Sequence, residues 1–149
     1  MDGTEAWHEH RTKVPPGQYL LKCIKAESAR IWYEGRGGWG RSGKVILWFE
    51  IVQGDYMGKV VPMFLPLTNQ GKISQGSKYF ASWCVANGLR RPSRNRFKEM
   101  PVSKFLDKVF DGELVDVKPR YPTGKPKPDL FHYSRVDILY ELVIGNPNI

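Results

Sequence analysis

The sequence predicts a mainly β domain with one main helix. Two patterns support this: several short segments alternate between apolar and polar residues, and one stretch places Phe80, Trp83 and Cys84 at helical spacing. The chain has 149 residues, of which 41% are hydrophobic and 26% charged, which fits one globular domain. The predicted elements follow the order β-β-β-α-β-β.

The first three predicted strands lie in the N-terminal half. Residues 18–29 are rich in Tyr, Leu and Ile and predict a first, bent strand. Residues 45–51 and 61–67 alternate with period two, and they predict a second and a third strand joined by a turn at 53–58. Pro62 and Pro66 make the third strand an edge or an irregular one. The predicted inward positions are Val45, Leu47, Phe49, Ile51, Val61, Met63 and Leu65, and Trp48 and Phe64 fall on the opposite face.

The helix and the last two strands follow. Residues 74–87 predict an amphipathic helix, with Ser77 as the N-cap and Gly88 at its end. A shorter helical turn is predicted over Val102 to Phe110. Residues 114–121 predict a fourth strand, and residues 130–143 predict a fifth.

The ends of the chain and its cysteines add little chemistry. We expect a flexible N-terminal tail over residues 1–13, a folded domain over 14–144 and a C-terminal tail over 145–149. Cys23 and Cys84 form no C-x-x-C pair, so we expect two buried thiols, no metal site and no cofactor. No segment is long and apolar enough to span a membrane, and no signal peptide is evident, so we expect a soluble cytoplasmic protein without a membrane partner.

Positive charge is concentrated in two parts of the chain. The formal net charge is +8, which favours polyanionic partners. Residues 30–44 combine Gly, Arg and aromatic residues, and we expect a long mobile loop from Tyr33 to Lys44. The second part contains the run Arg90–Arg96 and the Pro/Gly/Lys turn Pro122–Asp129.

This arrangement predicts a nucleic-acid-binding surface. Five strands with a helix between the third and fourth match the OB fold, a small barrel whose strand 2–3 face and 1–2 and 4–5 loops bind oligonucleotides or oligosaccharides. Unpaired bases stack on aromatic rings while Lys and Arg follow the phosphates. The candidate binding residues are Arg30, Trp32, Tyr33, Arg36, Trp39, Arg41, Lys44, Trp48, Phe64, Arg90, Arg91, Arg94, Lys118, Arg120, Tyr121, Lys125 and Lys127.

Three short motifs carry a family resemblance. They are Pro16-Gly17-x-Tyr19, then Phe49-Glu50-Ile51 followed by Gly54-Asp55-Tyr56-x-Gly58-Lys59, and Asn87-Gly88-Leu89. Over residues 14–143 the chain resembles a family of phage and prophage OB-fold proteins that bind single-stranded DNA. The resemblance implies a sequence-nonspecific, non-catalytic protein that acts in phage or mobile-element DNA replication and recombination in the bacterial cytoplasm. The chain departs from many replicative single-strand binders because it ends without an acidic tail.

Other readings stay open. An RNA-binding OB domain fits the same residues, whereas the basic balance disfavours a neutral sugar ligand. The basic segments also suit an adaptor that docks an acidic protein, and self-association is open as well. A metal-dependent nuclease is a remote alternative, because Glu113, Asp116, Lys118 and Asp129 supply the residue types in the wrong order.

Overall fold

Five antiparallel strands form one sheet. The structure is a computed structural model that describes residues 12–35, 38–67, 73–128 and 132–144, with side chains at 29–42 outside the description. The strands are β1 (Gly17–Gly35), β2 (Gly38–Ile51), β3 (Val60–Leu67), β4 (Val109–Val117) and β5 (Tyr133–Ile144). Their order in the sheet is β3-β2-β1-β4-β5. The predicted mainly β fold with five strands is therefore confirmed.

The central strand β1 has two different partners along its length. Its first part, residues 17–22, pairs with β4, and its part from residue 21 onward pairs with β2. Leu21 and Lys22 pair with both neighbours at once. The register with β2 shifts between Cys23 and Lys25, and a bulge of this kind bends a strand. The expectation of a long bent first strand is met here.

The two edge strands are β3 and β5. Their Cα atoms come within 8 Å of each other, but no ladder of paired residues joins them in the described part of the chain. The sheet is not closed, so the predicted barrel closure is not confirmed. The edge position of β3 was predicted from its prolines, which cannot donate a backbone hydrogen bond to a further strand.

The inward face of the sheet forms the hydrophobic core. All seven inward positions predicted on β2 and β3 have no exposed surface. Phe110 of β4 lies edge-on to Phe49 of β2, with 6.1 Å between the ring centroids. The rings of Phe105 and Tyr79 extend this cluster toward the helix. The alternation read from the sequence therefore reports the true core face.

The helix α1 (Lys78–Ala86) lies between β3 and β4. The predicted N-cap is correct, because the Ser77 hydroxyl accepts a hydrogen bond from the backbone N–H of Phe80. The helix ends at Asn87, and Gly88 follows with a φ of 71°, a left-handed conformation that glycine adopts readily. Trp83 Nε1 donates to the carbonyl of Pro101, which ties the helix to the chain that leads into β4.

Two boundaries in the C-terminal half were predicted wrongly. The expected helical turn over Val102–Phe110 is a single 3-10 turn at Val102–Lys104, because Asp107 takes a φ of 63° and ends the helical path. Val109 and Phe110 begin β4, which ends at Val117 and not at residue 121. The strand β5 is described from Tyr133 onward, and residues 130 and 131 of the predicted strand lie outside the description.

The largest correction concerns the predicted mobile loop from Tyr33 to Lys44. The strands β1 and β2 keep their register through this region as far as the pair Gly35 and Gly38. Since β3 pairs with β2 only between Gly43 and Glu50, the end of the hairpin is a two-stranded ribbon. Glycine weakens a strand without forbidding it, and Ile31, Trp32 and Tyr33 have high strand propensity. Residues 36 and 37 at the turn lie outside the description.

The first described residues of the chain lie beside β5. The Ser134 N–H donates to the carbonyl of Thr12, and the Ser134 hydroxyl bonds both backbone groups of Val14. Residues 12 and 13 of the expected tail thus lie beside β5, and residues 1–11 and 145–149 lie outside the description. Both cysteines are free, Cys23 fully buried as predicted and Cys84 half-buried. None of the described helices could cross a membrane.

Gly112 of β4 offers a test of this packing. A Cβ atom there would lie 2.9 Å from Leu21 Cδ1 and 3.0 Å from the backbone oxygen of Ile138. Because the backbone of β5 cannot retreat without loss of pairing, Gly112→Ala should lower the free energy of unfolding by about 1–3 kcal/mol. Chemical denaturation measures this change.

The matched control is Gly76→Ala. A Cβ atom at Gly76 meets nothing within 4 Å, so its effect should stay within about 0.5 kcal/mol. Equal effects of the two substitutions would contradict the close packing of β1, β4 and β5 at Gly112.

Candidate nucleic-acid interface

The face of β2 and β3 that points away from the core carries the two predicted aromatic residues. The register pairs Trp48 with Pro62, Ile46 with Phe64 and Lys44 with Pro66. We call these six residues the β2–β3 outer face. Trp48 and Phe64 are half-buried, and Pro62, the cross-strand partner of Trp48, is buried. The structure thus brings three of the predicted site residues together, Lys44, Trp48 and Phe64.

An ammonium group covers one of these rings. The Nζ atom of Lys44 lies 5.4 Å from the centroid of the Phe64 ring. A cation over an aromatic face is attracted by the ring quadrupole, at about 0.5–1 kcal/mol where the pair is exposed. The contact places a cation over the outward ring of Phe64.

The strand β1 adds charge beside Trp48. Lys25 is the cross-strand partner of Trp48, and Glu27 is the partner of Ile46. The Nζ atom of Lys25 lies 2.6 Å from Glu27 Oε1, but with side chains 65% and 41% exposed this ion pair stabilises little. Sequence alternation alone missed Lys25, because only the bulge after Cys23 moves it from the core side to the Trp48 side. No signal in the sequence marks that bulge.

Further candidate residues occupy known backbone positions in the ribbon of β1 and β2. The register pairs Trp32 with Arg41, Glu34 with Trp39 and Arg30 with Gly43. These candidates thus occupy paired backbone positions of the ribbon, and their side chains lie outside the description. Arg36 lies outside the described residues.

The connection between β4 and β5 forms a structured basic turn. The N–H of Tyr121 donates to the carbonyl of Lys125, and Gly124 takes a φ of 89° at the bend. Arg120 Nη1 donates to the Gly124 carbonyl at 2.9 Å, and Lys127 Nζ lies 5.5 Å from the Tyr121 ring centroid. Tyr121 is 45% exposed. This turn therefore repeats the arrangement of the β2–β3 outer face, an aromatic ring covered by a lysine, with Lys118 nearby in sequence.

The two hairpins extend from opposite ends of β1. The ribbon continues past residue 30, whereas β4 runs antiparallel to β1 and reaches Gly17 at Leu114, so its own turn lies beyond the start of β1. Residues 22 to 29 of β1 pair with the part of β2 that also pairs with β3, so the β2–β3 outer face lies between these two ends. One basic hairpin therefore lies toward each end of this face.

The predicted residues Arg90, Arg91 and Arg94 lie elsewhere in the chain. They are exposed in the connection that follows α1. Backbone hydrogen bonds fix this connection to Ile73 and to the end of the helix. These contacts do not join it to the β2–β3 outer face.

Two residues of the nuclease alternative, Glu113 and Asp116, lie on β4 beside residues of β5. The Tyr140 hydroxyl donates to Glu113 Oε2 at 2.6 Å, and Asp116 pairs across the strands with Ser134. Within the described ranges, no group of three or more His, Cys, Asp or Glu residues could hold a metal ion. Burial raises the pKa of the Cys23 thiol to about 12, although a hydrogen bond with the Lys25 backbone opposes the shift. This thiol is therefore unreactive near neutral pH.

No protein-family model, curated protein sequence or solved structure matches this chain. The fold and the geometry of the β2–β3 outer face are therefore the basis for the function proposed below.

The two lysine–ring contacts can be observed directly. The ε-methylene protons of Lys44 and Lys127 should resonate upfield of those of lysines that lie over no ring, because each lies over an aromatic ring. Lys104, whose Nζ lies 5.6 Å from the Trp83 ring centroid, should shift in the same direction and is unaffected by the two changes below. Phe64→Leu should remove the upfield shift of Lys44 alone, and Tyr121→Leu should remove that of Lys127 alone. Side-chain NMR of the free protein measures both. Unchanged lysine shifts in both variants would contradict the two contacts.

Proposed function

We propose that this chain is a sequence-nonspecific single-stranded DNA-binding protein with an OB-like architecture and no chemical step. The bound strand crosses the β2–β3 outer face between the two basic hairpins. Bases stack on half-buried rings, and lysine and arginine side chains neutralise the phosphates. The strand is thereby kept from reannealing and from nucleases.

The strand order supports the OB-like architecture. An OB barrel opened between its third and fifth strands gives the order β3-β2-β1-β4-β5, with a helix between the third and fourth strands. The approach of β3 to β5 and the bend in β1 favour the same arrangement. Closure by water-mediated or side-chain contacts would need no continuous ladder.

One observation carries the functional proposal: Lys44 lies over Phe64 on the same outward face as Trp48. Half-buried rings there suit a ligand with flat apolar faces, and the lysine suits an anionic one. Unpaired nucleotides have both properties, while duplex DNA hides its base faces. Heparin and inorganic polyphosphate have no base at all.

The covering lysine suggests how binding proceeds. A base that stacks on Phe64 must displace the Lys44 ammonium group from the ring. The displaced ammonium group is then free to bind the neighbouring phosphate, so the loss of one contact is offset by another. Lys127 and Tyr121 can act in the same way at the far hairpin.

The biological setting rests on the family resemblance alone. It favours phage or mobile-element DNA replication and recombination in the bacterial cytoplasm. An RNA strand offers the same bases and phosphates, and the 2′-hydroxyl is the feature that would distinguish it. A comparison of oligo-dT with oligo-rU in the titration below separates the two polymers.

Phe64→Leu tests the stacking role. Base–aromatic stacking is worth about 1–3 kcal/mol, so this change should weaken oligo-dT binding by roughly 5- to 150-fold while leucine keeps the apolar packing. Quenching of tryptophan fluorescence by oligo-dT, repeated over a range of salt concentrations, gives the affinity. The wild-type affinity should fall with salt because phosphates are neutralised.

The control for this titration is Tyr56→Leu. Tyr56 is also an exposed aromatic residue, but it lies in the turn between β2 and β3 and off the outer face. Its replacement should leave the affinity unchanged. If duplex DNA and heparin bind as tightly as oligo-dT, the single-strand proposal is wrong, and a basic adaptor becomes the better explanation.

Displacement of Lys44 can be tested separately. Addition of oligo-dT should abolish the upfield shift of the Lys44 ε protons, because a base replaces the ammonium group on the Phe64 ring. Inorganic polyphosphate should leave the shift in place, since it offers charge without a ring. The same response to both polyanions would exclude stacking on Phe64.

A further inference from the structure

The outward side of β4 and β5 differs in charge from the rest of this basic protein. It carries Asp111, Glu113 and Glu141 together with Ile138, Tyr140 and Val143, and we call these six residues the β4–β5 outer face. One cation, Arg135, occupies the next outward position along β5, opposite Val115, so carboxylates outnumber cations three to one on this side. The three large apolar side chains are 42–44% exposed. Among the described residues, no Lys or Arg side chain forms an ion pair with these three carboxylates.

The arrangement of these charges has a cost in the isolated chain. Asp111 and Glu141 are direct cross-strand partners, and like charges at such positions destabilise a sheet. The pKa of Tyr140 is raised, first by its hydrogen bond to Glu113 and also by the nearby charges of Asp111 and Asp137. The face therefore has a negative potential that a cationic partner would relieve. It also repels a nucleic acid, so the polymer proposed above is not its ligand.

The connection after α1 has the opposite character. Residues 89–98, the basic segment, expose five cationic side chains: Arg90, Arg91, Arg94, Arg96 and Lys98. Leu89 precedes them and is 76% exposed, the most exposed of the large apolar residues described. The segment thus offers an apolar side chain beside cations, and the β4–β5 outer face offers apolar side chains beside carboxylates.

The basic segment has a fixed backbone. Leu89 takes a φ of 63°, and its N–H donates to the Cys84 carbonyl at 2.8 Å. Asn87 Nδ2 donates to the Arg90 carbonyl, and Ile73 N–H donates to the Asn95 carbonyl. A segment held in this way loses little conformational entropy when it binds.

We propose that the basic segment of one copy docks on the β4–β5 outer face of a second copy. Leu89 packs against Ile138 and Tyr140, and the arginines meet the carboxylates. The two surfaces are different parts of the chain, so the contact is heterologous, and a pair of copies keeps one free basic segment and one free β4–β5 outer face. Copies can then line up head to tail, for example along one DNA strand, without use of the β2–β3 outer face.

Wild-type protein should therefore self-associate with a mass that grows with concentration and falls with added salt. A contact between one short segment and one face of two strands is small and therefore weak, so we expect self-association at a protein concentration on the order of 0.1 mM. Sedimentation equilibrium without nucleic acid measures it. A protein that stays monomeric over this range would overturn the proposal and would leave DNA binding untouched.

The double variant Tyr140→Ser/Glu141→Lys should weaken self-association at least tenfold. Glu141→Lys also replaces a like-charge pair with an opposite-charge pair beside Asp111, so the thermal midpoint should not fall through charge. The matched control is Asp55→Lys/Tyr56→Ser, which also replaces one carboxylate with lysine and one tyrosine with serine, at exposed residues of the turn between β2 and β3. Equal disruption by the control would show a general charge effect and overturn the proposal.

A mixing experiment tests the head-to-tail pairing. The variant Leu89→Ser/Arg90→Ser/Arg91→Ser lacks the basic surface but keeps the acidic one, and it should be monomeric alone. Mixed with Tyr140→Ser/Glu141→Lys, it should form a one-to-one complex that does not grow, because each copy supplies one intact surface. Absence of that complex, when wild-type protein does self-associate, would mean that other surfaces form the contact.

Discussion

The double pairing of Leu21 and Lys22 is the constraint on which the rest of the sheet depends. These two residues hold β2 on one side of β1 and β4 on the other. Leu21 is fully buried at this junction, and its side chain occupies the space that a Cβ atom at Gly112 would need. The bulge that follows turns β1 away from β4 and toward the ribbon. Both hairpins and the core therefore take their positions from one short stretch of β1.

The same bulge sets the chemistry of the β2–β3 outer face. It reverses the alternation of β1, so Lys25 lies beside Trp48 while Ala26 faces the core side. Lys44, four residues before Trp48 in β2, covers Phe64. Lys25 and Lys44 therefore lie on either side of the aromatic residues, and both are held on strands and not on a loop. A rigid sheet positions them more accurately than a mobile loop would.

The sequence predicts the parts of the fold that local patterns determine. Period two along β2 and β3 identified all seven core positions, and Ser77 identified the start of α1. The errors fall where long-range pairing decides. Phe110 reads as part of a helical turn until its pairing with Leu21 is known, and the Gly-rich stretch reads as a loop until β1 and β2 are aligned. Propensity cannot anticipate either pairing, because both depend on residues far away in the chain.

The candidate site divides in the same way. Trp48 and Phe64 follow from the alternation of their strands, and the sequence predicts both. Lys25 does not follow from it, since a bulge leaves no mark in a single sequence. The lysine–ring contacts also depend on side-chain conformation, which composition cannot report.

Charge is distributed unevenly over the surface of the molecule. The β4–β5 outer face collects carboxylates on a chain whose formal net charge is +8, so the remaining surface is more basic than that total suggests. A polyanion that approaches such a molecule is repelled from one face and attracted to the others, which aligns it before contact. Asp111, Glu113 and Glu141 have no ion-pair partner among the described residues, so no salt bridge of these three side chains stabilises the fold, whereas Asp137 of β5 pairs with Lys78. The charges of these three carboxylates set the β4–β5 outer face apart from the β2–β3 outer face, where Lys25 and Lys44 lie beside the aromatic residues.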